Sequence, residues 1–353
     1  MNNVIEKRKL GKTNIDVSVL GFGSAPLGDI YEFLDDKIAV TTVETAAQLG
    51  VTLFDTAPLY GQGIAEHRVG TGLRRAKLKD YILSTKIGRI LKPAPNGRKK
   101  ISRFVGGLEF DIVHDYGYDG VMQSFENSMM RLGLPKIDIL LIHDADPWAH
   151  GPEEGPKRYQ EAMAGAYRAL EQLKSEGSIK AIGFGTNDPV YAAKFLRDGD
   201  FDCFLLAGRY SLLEQPALDE VLPLATSKNV GVILGGVFNS GILATGAIDN
   251  SKYNYTPAPK NILEKVRKIE AICQNYSIPL PTVAMQFCLG HPQVSSLALG
   301  AVSPNEVKLN IAGVKTTIPD SLWSDLKTAG LLNKSAPTPN VKKDKTSKNP
   351  YAE

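Results

Sequence analysis
The chain has 353 residues, 43% apolar and 22% charged, with a formal charge of +3. That length can bury one large core or two smaller ones. So small a charge, with Lys and Arg scattered, excludes a basic groove for nucleic acid and leaves a small molecule as the expected partner.

The N-terminal stretch MNNVIEKRKLGKTNIDVSV lacks the apolar run of about 7 to 15 residues that marks a secretory signal. Nowhere do about 18 apolar residues run together. A cytoplasmic chain without a membrane span is therefore expected. Alternating apolar residues around Gly11 to Asn14 predict a β-hairpin at the start. Eight short apolar segments then recur, at 17–23, 51–56, 81–86, 137–144, 179–186, 201–210, 230–236 and 294–301. Their nearly continuous apolar character predicts strands buried on both faces. Amphipathic helices are expected between them, at 35–50, 119–133, 158–177 and 303–313, several ending in Gly. Strands alternating with helices, eight times over, predict a (β/α)8 barrel over 1–332. Two connections are long, 88–118 and 236–262, and from about Asn333 the polar stretch 333–353 reads as a flexible tail. Cys203, Cys273 and Cys288 form no CxxC pair and read as buried reduced thiols, and five dispersed histidines offer no metal-ligand set.

In such a barrel the carboxyl ends of the strands meet at one mouth. Asp55 closes the second strand, Tyr60 follows it, Lys86 closes the third and His143 the fourth. Singly these read as a cap, loop packing, a solvated strand end and a core imidazole. Together they make a proton-transfer centre. A phenol titrates near 10 and is a poor base at neutral pH, but a neighbouring ammonium favours its ionised form. Lys86 supplies that charge, Asp55 secures the lysine, and His143 is placed to hydrogen-bond a substrate oxygen.

The stretches LGFGSAPLG (20–28), FDTAPLYG (54–61), STK (84–86), DILLIHD (138–144) and GAVSPNEVKLN (300–310) resemble the aldo-keto reductase superfamily over essentially the whole chain before the tail. The resemblance implies a (β/α)8 barrel that binds a nicotinamide dinucleotide, with its Asp, Tyr, Lys and His tetrad on Asp55, Tyr60, Lys86 and His143. It also puts Gly23, Ser24, Asn187, Tyr210, Val237, Asn239, Gly241, Leu243, Gly300, Val302, Ser303, Glu306 and Asn310 along the cofactor. Tyr210 would stack on the nicotinamide, and Asn187 would hold its carboxamide. Gly185 stands where a serine is common and Ala207 where a glutamine is. Val302 and Glu306 occupy the positions at which many relatives carry a basic residue for the 2′-phosphate of NADP. A carboxylate repels a phosphate and accepts hydrogen bonds from ribose, so the cofactor expected is NAD rather than NADP, with Lys308 as the one nearby cation.

HDADPWAHG (143–151), LAGRYSLLEQ (206–215) and DYGYDGVMQSFENSMMRLGL (115–134) look like the branch of L-fucose dehydrogenase, D-threo-aldose 1-dehydrogenase and pyridoxal 4-dehydrogenase. Resemblance to that branch implies oxidation of a cyclic hemiacetal, a sugar or pyridoxal-like molecule, to a lactone. Trp148, His150, Asp144 and Arg209 are the expected substrate contacts. His114 and Tyr116 are placed at the mouth, and Arg98, Lys99, Lys100 and Arg103 read as a solvated basic face. Other readings are an NADP-dependent carbonyl reductase, a Schiff-base aldolase using Lys86, and a cofactor-sensing subunit like those of potassium channels. The sequence leaves an oligomer open.

Overall fold
The computed structural model describes residues 5–99 and 103–339. Eight parallel strands close into a barrel: β1 (Leu20–Gly23), β2 (Leu53–Asp55), β3 (Ile82–Ile87), β4 (Ile139–His143), β5 (Ala181–Thr186), β6 (Cys203–Ala207), β7 (Gly231–Gly235) and β8 (Val294–Leu299). Each falls on one of the eight apolar segments, β3 running one residue past its segment to Ile87. Among the described residues, four helices start at a side-chain cap. Asp35, Asp146, Asp188 and Ser303 each accept a backbone N–H of the following first turn. Proline stands just after the last three of these caps, where its missing N–H costs nothing.

Strand side chains alternate between the barrel interior and the helical layer. Leu53, Ile139, Leu141, Ala181, Cys203, Leu205 and Ile233 point inward as one cluster, while Phe54, Leu140, Ile142 and Leu206 belong to the layer under the helices. By the same parity Asp55, Lys86 and His143 point inward at the strands' far ends. The register pairs Gly23 with Asp55, Lys86 with Leu141 and His143 with Gly185, so each of the three stands at or next to the carboxyl end of its strand. Glycines on β5 make room for them. A Cβ on Gly183 would meet the Cys203 carbonyl oxygen at 2.2 Å, and one on Gly185 would stand 3.7 Å from Lys86 Cε.

The opposite mouth is shut. Strands Lys7–Lys9 and Asp16–Ser18 form the expected antiparallel hairpin, and Leu10, Ile15 and Val17 plug the barrel from below. Gly11, at φ 54°, lies so close to β7 that a Cβ would reach 2.2 Å from the Gly231 nitrogen. The insertion 88–118 is itself a hairpin, with Arg89–Pro93 paired antiparallel to Phe110–His114. The connection 236–262 carries a smaller one, Lys252–Tyr253 against Thr256–Pro257, with Asn254 and Tyr255 at its left-handed tip (φ 49° and 64°). The loop after β1 is fastened by Arg68, whose Nη1 donates to the Leu27 carbonyl and to Asp29 Oδ1, each at 2.6 Å.

Two expected boundaries shift. The helix predicted at 158–177 begins earlier, at Pro147–Glu161 with a break at Gly151 (φ 80°), and continues through a π-helical turn at Ala162–Ala166 into Tyr167–Ser175. Residues 333–339, assigned to the flexible tail, pack on the barrel instead. Ala336 is buried and its carbonyl accepts Lys327 Nζ at 2.8 Å, and the Asn333 N–H donates to Gln215 Oε1 at 3.3 Å. The remainder of that tail, 340–353, lies outside the described residues, as does Lys100 of the basic face.

Candidate active site
At the open mouth a cleft is lined by Tyr60, Lys86, His143 and Asp144, by Asn187 and Thr186, and by Ile30, Leu59, Phe104, Leu205 and Tyr255, with Arg103 among them. Lys86 Nζ lies 2.6 Å from Asp55 Oδ2 and donates at 2.9 Å to the Thr56 carbonyl, deep in the barrel. The same ammonium stands 4.9 Å from the centre of the Tyr60 ring, and the His143 imidazole meets that ring edge-on at 5.9 Å. All four residues of the expected proton-transfer centre therefore converge.

The electrostatics refine the expectation drawn from the sequence. Burial pushes the Tyr60 phenol up; Lys86 pulls it back and Asp55 raises it again, leaving it at about 12. The lysine does favour the ionised phenol, but desolvation is the larger effect in the bare cleft. Burial works against the Lys86 ammonium too, yet Asp55 and then Tyr60 outweigh it, so the amine stays protonated above its usual range. His143 is held well below its ordinary value by burial, then by Arg89, Lys86 and Arg103. It is a neutral imidazole at physiological pH. Its Nε2 is 3.4 Å from Asp144 Oδ2, and its Nδ1 is buried with no protein partner among the described residues.

Asp144 reaches the cleft through a left-handed backbone (φ 48°) and pairs with Arg89 at 3.0 Å. Other expected substrate contacts are placed elsewhere. His150 packs behind β4, where its Nε2 is 3.0 Å from Tyr116 Oη and its ring lies 4.6 Å from that of His114. Tyr116, expected at the mouth, is fully buried and donates to the His143 carbonyl at 2.7 Å, fixing the strand end from the rear. Trp148 is 46% exposed and lies under the Arg209 guanidinium, 4.4 Å from its ring centre, outside the cleft lining. Arg209 is a strut: it donates to the Asn187 carbonyl at 2.7 Å, to Glu214 at 2.8 Å and to Asn254 at 3.3 Å.

Tyr210 is also corrected. β6 ends at Ala207, Gly208 turns the chain at φ 69°, and the Tyr210 ring enters the core against Phe287 and His291, 5.0 and 5.5 Å away. It does not face the cleft. Conversely, Arg103, read as part of a solvated face, stands in the cleft wall beside Phe104, and the cleft's outer aromatic ring is Tyr255. The sequence reading missed Arg89, Phe104 and Tyr255, all carried in by the two long connections.

The residues present fit a dinucleotide. The buried hydroxyls of Ser24 and Thr56 and the Asn239 Oδ1 have no partner among the described residues, a state that costs free energy unless a ligand or water satisfies it. Gly241, at φ 102°, leaves open space where a Cβ would stand. Asn187 lines the cleft and donates to the Ala207 carbonyl at 3.2 Å. Val237 and Leu243 are buried, and the Leu243 N–H already donates to the Phe238 carbonyl at 3.1 Å. Gly23 and Gly300 are close-packed, a Cβ meeting the Ala298 carbonyl oxygen at 2.8 Å and Pro26 Cγ at 2.5 Å. Asn310 borders a small apolar cavity beside Leu20, Val307 and Ala301. At the helix Pro304–Lys315, Ser303 Oγ accepts the Glu306 N–H at 3.3 Å and Glu306 Oε2 accepts the Val302 N–H at 2.9 Å, a variant of the capping box that reaches one residue before the cap. That box holds the Glu306 carboxylate at the helix start.

Residues 19–330 match the model of the aldo/keto reductase family. The chain is 40% identical to pyridoxal 4-dehydrogenase of Microbacterium luteolum, covering 93% of this chain and 98% of that one. It is 35% identical to D-threo-aldose 1-dehydrogenase of a Pseudomonas species, covering 92% and 96%. The holo form of an aldo-keto reductase from Bacillus halodurans superposes with a TM-score of 0.69 at 26% identity, over 92% of this chain and 96% of that one. Barrel, converging tetrad and these likenesses agree: the chain belongs to the aldo/keto reductase family and is a nicotinamide-dependent oxidoreductase acting on CH–OH donors.

Proposed function
We propose that this enzyme oxidises the anomeric hydroxyl of a cyclic hemiacetal, an aldose or a pyridoxal-type molecule, to a lactone with NAD. The observation that carries this is the buried Lys86–Asp55 pair, 2.6 Å apart, beneath Tyr60 and beside a neutral His143. The substrates named for the two dehydrogenases at 40% and 35% identity supply the molecule class.

In this reading His143 donates a hydrogen bond to the substrate oxygen and orients the reacting carbon. Tyr60 takes the hydroxyl proton as the C–H electron pair departs and the carbonyl forms. A bound oxidised nicotinamide supplies the hydride acceptor and a second positive charge. Lys86 stays protonated throughout and steadies the phenolate. Ser24, Asn187 and Asn239, with the backbone at Gly241, would hold the cofactor. The Glu306 carboxylate, at a position where the family resemblance expects a cation for a 2′-phosphate, supports NAD over NADP. Three buried free cysteines suit a reducing compartment, in keeping with a cytoplasmic enzyme.

The test is a panel of aldoses, L-fucose and D-arabinose among them, together with pyridoxal, assayed by nicotinamide absorbance with NAD and NADP. NAD-dependent turnover of a hemiacetal is expected, with kcat/KM at least about tenfold higher than with NADP, the equivalent of one charge-assisted contact. Turnover only in the direction of carbonyl reduction, with NADP, would overturn the reading. A pH profile follows from the site. Oxidation needs the base form of Tyr60, whose pKa of about 12 in the bare cleft lies above any working pH. The base fraction, and kcat/KM with it, should climb about tenfold per unit from the neutral range upward where the pKa stays above the pH. His143, already neutral, adds no break near pH 6.5. A profile that falls as the pH rises from 6.5 to 9.5 would remove Tyr60 as the base.

A further inference from the structure
One charge in the cleft has no contact role in the chemistry above, although it helps to keep His143 neutral. Lys86 is matched by Asp55 and Arg89 by Asp144. Arg103 shares the cleft wall with Tyr60, His143 and Asp144, yet among the described residues no carboxylate pairs with it. Its guanidinium lies over two rings, 4.8 Å from the centre of Tyr255 and 5.6 Å from that of Phe104. The group is held in place all the same. The Arg103 carbonyl accepts the Tyr31 N–H at 3.0 Å, Phe104 is buried and bridges to Ile30, and the Phe104 ring packs 6.3 Å from that of Tyr60.

The surroundings select what such a cation can meet. Phe104, Tyr255, Ile30, Leu59, Leu205 and Ala207 make a wall of rings and apolar side chains. A polyol with a hydroxyl on every carbon would use Asp144, Thr186 and Asn187 of the lining, but beside Arg103 it would meet the rings of Tyr255 and Phe104. A flat ring with one anionic oxygen matches aromatic walls and a single forked cation.

We propose that Arg103 is a specificity-determining residue that pairs with an oxyanion on a planar substrate ring, next to the carbon that is oxidised. The substrate class is a hydroxylated heteroaromatic hemiacetal whose ring hydroxyl is ionised near neutral pH, in preference to a neutral aldose. This rests on the hemiacetal reading above and narrows it.

The experiment compares wild type, Arg103→Met and Arg103→Lys on pyridoxal, on its 3-O-methyl ether and on L-fucose, with NAD saturating. Wild type is expected to favour pyridoxal over the ether. Arg103→Met should lose about 10- to 100-fold in kcat/KM for pyridoxal, the range of one charge-assisted hydrogen bond. The loss should fall mainly in KM, with the preference over the ether erased, while Arg103→Lys keeps part of it and the Kd for NAD stays within about twofold. Equal losses on pyridoxal and the ether, or a weakened Kd for NAD, would overturn the assignment, the latter moving Arg103 to the cofactor. Turnover of aldoses with pyridoxal inert would also overturn it and leave the dehydrogenase reading standing. Equilibrium titration with pyridoxine and its 3-O-methyl ether reads the pairing without turnover. If no compound is oxidised, tighter binding of the free phenol to wild type than to Arg103→Met still supports the pairing, and equal Kd values refute it.

Discussion

Tyr60→Phe will lower kcat by about 10²- to 10⁴-fold, the usual contribution of a positioned acid–base group, while leaving the Kd for NAD and the thermal midpoint close to those of wild type. The change removes one oxygen from a ring whose packing against Phe104 and His143 persists. That oxygen's hydrogen-bond partner is the Lys86 ammonium, which keeps Asp55 and the Thr56 carbonyl as acceptors. Nothing buried is therefore left without a partner. Single-turnover measurements with prebound NAD isolate the chemical step. A variant within tenfold of wild type there would assign the proton transfer to another group.

Lys86→Met is expected to damage both chemistry and fold. It strips the charge that offsets the burial of the Tyr60 phenol, so the loss in kcat should be at least as large as that of Tyr60→Phe. It also strands Asp55, 2% exposed, with no cation within reach. Breaking one side of a buried pair typically costs about 3–5 kcal/mol. The thermal midpoint should drop by roughly 10 °C, at about 2–4 °C per kcal/mol for large domains. The double variant Lys86→Met with Asp55→Asn separates the two effects, since it removes the stranded carboxylate. Much of the stability should return and none of the activity. Recovery of turnover in the double variant would contradict the role given to the ammonium.

The barrel and its tetrad were legible because both rest on local rules. Eight apolar runs predict eight buried strands, and strand parity turns Asp55, Lys86 and His143 to the same side once the barrel closes. Tyr210 was misplaced because its position was taken from the family resemblance: Gly208, in a left-handed turn, follows the end of β6 at Ala207 and the ring turns into the core. Trp148 and His150 were misplaced because residues 146–150 are the start of a helix and not a loop. The signature was present, an Asp followed directly by Pro, as at the start of the helix Pro189–Asp198. Arg103 and Tyr255 were not legible in this way. Their positions depend on how two long connections fold back over the mouth, through contacts such as Ile30 with Phe104 that lie far apart in sequence.

The packing of residues 333–339 bears on how the enzyme can be handled. Arg8 donates to the carbonyls of Leu289 and Val294, and Pro339 rests against Gly290, so both extremities of the described chain arrive at one small area on the sealed floor. A short peptide could join residue 339 back to residue 5 with little strain, and new ends could be opened in a surface turn such as Gly177 without disturbing a strand. Attachment to a solid support through this floor would likewise leave the catalytic mouth facing the solution.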